Sequence, residues 1–143
     1  MQRTLLAGAW NRWLAILVAG VGLWLFVELA NWTLGRTPAF AGAMERWESQ
    51  VAFQTPAVGG LALCLVLAGI LVLLHRLEGN PSGKRAASIG IVLAIVPGAA
   101  LIGAGEEAGL TGLAVARAAI MIVGVVGASM LIHEIGTRRT ALR

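Results

Sequence analysis

Apolar residues along the chain are gathered into four long blocks, at about residues 13–34, 57–74, 86–105 and 110–132. They do not recur with the 3.6-residue spacing that marks a soluble amphipathic helix. At 1.5 Å per residue, such blocks are about the length needed to cross ~30 Å of hydrocarbon as helices. A backbone in lipid must satisfy its own N–H and C=O groups, which a single helix does and a lone strand does not. The pattern therefore predicts an all-α integral membrane protein, one domain over residues 1–143 with four transmembrane helices.

The polar stretches between the blocks set the connections. Residues 78–84 (EGNPSGK) hold the Gly, Asn, Pro and Ser of a sharp reversal, and residues 106–109 are shorter still. Spans two, three and four are thus expected to form a compact up-down bundle. Thr55 and Pro56 look like a helix start, and Pro97 inside the third block removes one backbone hydrogen bond. The long connection after the first block behaves differently. Thr37 and Pro38 mark another start, and Phe40, Met44, Trp47 and Val51 then share one helical face. A short amphipathic surface helix over about 38–53 is expected, apolar face toward lipid or toward a partner groove.

Composition agrees with the pattern: 58% of residues are hydrophobic and 13% charged, against about 45–50% and 25% in soluble domains. The net charge of +4 would suggest nucleic acid in a soluble protein. Here the basic residues sit at block ends, so no nucleic-acid partner is expected. Arg3, Arg12, Arg76, Lys84, Arg85, Arg138, Arg139 and Arg143 fall on one side of the membrane, against Arg36 and Arg46 on the other. The positive-inside rule then orients both termini to the cytoplasm (N-in/C-in), as in a bacterial inner membrane. The first block is too long for a signal-peptide core and is read as a retained span. Cys64, the lone cysteine, lies inside the second block and reads as a packing residue.

Few residues carry candidate chemistry. Glu28 lies well inside the first block, where a carboxylate is costly and calls for a role. Arg117 sits at comparable depth in the fourth, so an intramembrane Glu28–Arg117 ion pair is expected, with Glu106 and Glu107 as competing acids. The alternative use of Glu28 is to bind a proton or cation in a small coupled transporter. His75 and His133 close the second and fourth blocks at the same side, the placement of two axial ligands to a haem b; the competing reading is of interfacial histidines without a ligand. No metal-binding spacing, phosphate loop or nucleophile-base pair occurs, so the chain is not expected to be an enzyme.

Small residues and aromatics complete the picture. Gly112, Ala116, Gly124 and Ala128 on the fourth span, and Ala94 with Gly98 on the third, form faces that let helices approach closely. All five Trp and all three Phe precede residue 54. Trp24, Phe26 and Trp32, together with Phe40, Met44 and Trp47 of the surface helix, therefore mark a contact face for a protein partner, a pigment or a quinone, or for the chain's own bundle. These features favour a non-catalytic small subunit or scaffold, bathed in the lipid bilayer and packed against other membrane protein subunits.

Overall fold

A computed structural model describes residues 2–50, 57–79, 82–107 and 109–141, with side-chain surroundings for 12–47, 60–79, 82–107 and 109–135. Among these residues the chain consists of helices joined by short turns, with no strand. The elements are α1 (Gln2–Arg36), α2 (Ala41–Gln50), α3 (Ala57–Leu77), α4 (Gly83–Glu107) and α5 (Thr111–Ala141). Four of them contain stretches long and apolar enough to cross a membrane: Arg12–Arg36, Gly60–Leu77, Gly83–Glu107 and Thr111–Ile135. In each stretch only 22 to 33% of the most apolar window is buried within the protein. The remaining apolar surface therefore requires an apolar medium.

The helices run past the ends of the apolar blocks. α1 takes in Arg12, and α5 continues beyond Ile132 through a polar stretch, because a helix once formed extends at little cost into charged residues of good propensity. Pro97 lies inside α4 without ending it. Gly79 and Gly109 adopt φ of 65° and 71° just after α3 and α4, the left-handed conformation that lets a helix stop and the chain reverse. At the second of these reversals the Leu110 amide donates to the Gly105 carbonyl at 2.7 Å.

The start of α2 differs from the expected Pro38. The Thr37 hydroxyl donates to the Thr33 carbonyl at 2.9 Å at the end of α1, and Pro38, which disfavours a helical residue before it, forms a turn with Ala39 and Phe40. The Ala41 amide donates to the Thr37 carbonyl, and α2 begins there. The expected helix start at Thr55 and Pro56, the Val51 position and the turn residues Asn80 and Pro81 lie outside the described residues.

α5 touches α1, α3 and α4, and its pairing with α4 is the most extensive in the molecule. Gly20 faces Leu65 while Trp24 faces Gly60, so α1 and α3 are antiparallel; Gly90 faces Val126 and Gly105 faces Ala114, so α4 and α5 are too. Between the spans lies a core of Ala19, Leu23, Cys64, Leu67, Ala68, Leu71, Ala94, Val125, Ala128 and Ile132. Small residues dominate the α4 face: Ala86, Gly90, Ala94, Gly98 and Gly105 are all buried. In hydrocarbon, close packing of this kind does what the hydrophobic effect does in water.

Candidate functional site

The polar groups within the apolar stretches are few, and the structure distributes them over three places. The first is the α3–α4 end of the bundle. His75, near the end of α3, is buried, and its Nε2 lies 2.8 Å from the Ser129 Oγ on α5. The Ser129 hydroxyl in turn donates to the Ala86 carbonyl on α4 at 2.6 Å. Since the hydroxyl proton is spent on that carbonyl, Ser129 must accept from His75, which fixes the proton on Nε2. One serine thus ties three helices. His133 lies one turn further along α5, its Nε2 3.9 Å from where a Cβ on Gly83 would stand.

This geometry bears on the two-histidine haem expectation. An iron bound at His75 Nε2 would have to remove the proton donated to Ser129 and leave Ser129 without its donor. The residues as arranged fit a structural tie better than an axial ligand pair. Among the described residues, no group of three or more His, Cys, Asp or Glu side chains could hold a metal ion.

The second place is the opposite end, beneath α2. Trp47 is 2% exposed and packs with Leu110, Leu113 and Ala114; Leu34, Phe40, Met44, Leu101 and Ala104 surround them. A Cβ on Gly105 would overlap the Ala114 Cβ and come within 3.1 Å of the Trp47 ring. Gly105 is therefore the notch into which the indole fits. The Arg117 guanidinium lies 4.8 Å from the Trp47 ring centroid, a cation–π arrangement. On the apolar face of α2, expected against lipid or a partner, Trp47 is buried against the chain's own α4 and α5, while Phe40 and Met44 are half-buried.

The third place is the outward face of α1, where Glu28 is exposed. The structure does not bring Glu28 to Arg117: the arginine is turned to Trp47, and the ion pair formed by described residues elsewhere is Arg85 to Glu78 at 3.7 Å, on the exposed surface. Glu28 is surrounded along α1 by exposed Val21, Leu25, Leu29 and Trp32. Arg36 stacks over the Trp32 ring at 4.1 Å. Trp24 turns inward to Gly60, and its indole Nε1 is buried with no hydrogen-bond partner among the described residues.

The remaining expected residues divide between faces. Phe26 is partly exposed and packs beside Gly124, which also receives Leu23; Ala128 is buried and Ala116 half-buried, whereas Gly112 is exposed with nothing near it. Gly98 approaches Ala118 and Ile122 of α5. Phe26, Leu29, Ala30, Thr33, Leu34 and Ile120 line an open apolar groove of about 340 Å³. Its one hydroxyl, on Thr33, is already spent on the Leu29 carbonyl, so the groove offers shape without polar recognition.

Nothing local marks Ser129 as a tie, because a serine among small residues reads as a packing residue. The available signal was indirect: a histidine at the end of an apolar block needs a partner, and a hydroxyl on a facing span is one. Fold and polar groups together define a small helical chain in which four helices are long and apolar enough to cross a membrane. No family model matches the chain, and no characterised protein or solved structure matches it either.

Proposed function

We propose that the chain is a non-catalytic subunit of a larger membrane protein complex, held there by the outward face of α1. The observation that carries this reading is the exposed Glu28 amid apolar side chains of a membrane-length helix. A charged side chain at such depth costs about 3 kcal/mol or more when it faces lipid, and charged groups there nearly always face protein or water. The carboxylate is therefore suited to a surface covered by another subunit. The α4 face offers the contrast: Ile91, Val92, Ile95 and Val96 are all exposed and all aliphatic, which suits plain lipid.

The proposed orientation is that of the positive-inside rule, with both termini and the α3–α4 turn in the cytoplasm of a bacterial cell and α2 on the far side. Tags at the two ends should then report from the same face of the membrane. Tags reporting from opposite faces would remove the topology.

Extraction in mild detergent followed by native sizing and mass spectrometry tests the subunit reading. The expected result is a particle that contains this 14.8 kDa chain with at least one different membrane polypeptide in fixed ratio. A monomer or a pure homo-oligomer would reject it. The exposed carboxylate also suits a small oligomeric transporter coupled to protons or cations. In reconstituted vesicles Glu28→Gln would then abolish coupled flux, whereas the subunit reading expects no such flux from either form.

A further inference from the structure

The exposed face of α1 is broad and apolar, taking in Trp13, Leu17, Phe26 and Leu29, and one stripe along it carries the single carboxylate. Leu14, Val18, Val21, Leu25, Glu28 and Trp32 are all exposed, and their spacing alternates four and three residues from Leu14 to Trp32. That is the 3.5-residue repeat of a seam along which a second helix packs, and a single polar residue in such a seam fixes the register of its partner.

We infer, building on the subunit reading, that this seam receives a transmembrane helix of a different protein, which places a lysine or arginine against Glu28. Charge decides the partner. A second copy in the same orientation, related by a twofold axis along the membrane normal, would set Glu28 against Glu28, two like charges in a medium that does not screen them. Nor is either nearby described cation of α1 or α5 turned toward that face. Arg36 lies two turns further along α1 and stacks on Trp32, and Arg117 is turned to Trp47. A basic residue on the incoming helix would supply the charge complement, and arginine would add bidentate hydrogen bonds.

The test uses the full chain in its native membranes, with the photoreactive residue p-benzoylphenylalanine placed in turn at Val21, Leu25 and Trp32. Val92 and Val96 on α4 serve as controls. The expected result is an adduct from the α1 positions alone, joined to a membrane-spanning peptide that contains Lys or Arg. Glu28→Lys should reduce its yield about tenfold or more, and changing the partner's basic residue to Glu should restore it. That restoration separates lost recognition from lost folding. Adducts with lipid or with a second copy of the chain would overturn both this inference and the subunit reading. Adducts with a different protein whose spanning peptide has no basic residue would overturn this inference alone.

Discussion

The two ends of the bundle are closed by different physics. At the α2 end an aromatic wedge, Trp47, sits in a notch made by Gly105 and is ringed by Leu110, Leu113 and Ala114. At the α3–α4 end a hydrogen-bonded chain, His75 to Ser129 to the Ala86 carbonyl, joins three helices. The α2 end resembles the core of a soluble protein: α2 shows Glu45 and Arg46 outward and buries its tryptophan, the pattern that removal from water produces. Between spans in hydrocarbon that drive is missing, and helices are held by close approach and directional bonds. The lesson is that one small chain uses two kinds of adhesive, each matched to its medium.

The largest expected effect breaks the α2 end. Trp47→Ala should cost about 3–5 kcal/mol, the usual range for deleting a buried large aromatic, read as a fall in the thermal midpoint of the detergent-solubilised protein. Retention of the wild-type midpoint would show that α2 is not docked by its indole. Next comes the seam that links both ends. A Cβ at Gly90 would lie 2.8 Å from the Val126 Cα, a backbone atom that cannot swing aside. Gly90→Val should therefore push α4 from α5 and cost about 1–3 kcal/mol or more. Gly112→Val, where nothing lies within 4 Å, is the matched control and should change stability by no more than about 0.5 kcal/mol, since Val is at least as good a helix former as Gly.

A smaller effect tests the other end. Ser129→Ala leaves the His75 Nε2–H and the Ala86 carbonyl without their shared partner, which should cost about 1 kcal/mol, since side-chain hydrogen bonds between membrane helices average below that and reach somewhat above it. Adding His75→Leu should recover part of the loss, because the unsatisfied donor is then gone. If the double variant is less stable than Ser129→Ala by more than the change in packing, the tie is not what His75 contributes.

How much of this was legible beforehand follows from the range of each interaction. The four spans are a local property of the chain, and hydropathy blocks revealed them. The reversals after Leu77 and Glu107 were visible too, as Gly-containing polar stretches. The Ala94 and Gly98 ridge is legible from its spacing, but its extension through Ala86 and Gly90 is not, since Ala99, Ala100 and Gly103 of the same helix are as small and yet exposed. The tie between His75 and Ser129 spans 54 residues of sequence and depends on how α3 and α5 rotate about their axes. Nothing local encodes that rotation. Arg117 and Glu28 were matched by depth alone, and depth does not say which way a side chain turns. The indole of Trp47, brought over α5 by α2, gives Arg117 a nearer neighbour.

That last point yields the finest test of the comparison. If the α2 end is one cooperative unit, Arg117 belongs to it energetically as well as geometrically. Arg117→Met keeps roughly the length of the side chain and removes the charge, so a double-mutant cycle with Trp47→Leu should reveal a coupling of about 0.5–1 kcal/mol, the usual worth of a cation over an aromatic ring. The same cycle run with Glu28→Gln should be additive to within about 0.5 kcal/mol, because the two residues do not meet. Coupling to Glu28 larger than coupling to Trp47 would mean that α1 and α5 hold an ion pair in the membrane. It would also move the polar centre of the molecule from its α2 end to its lipid-facing side, and remove the reason for seeking a basic partner at Glu28.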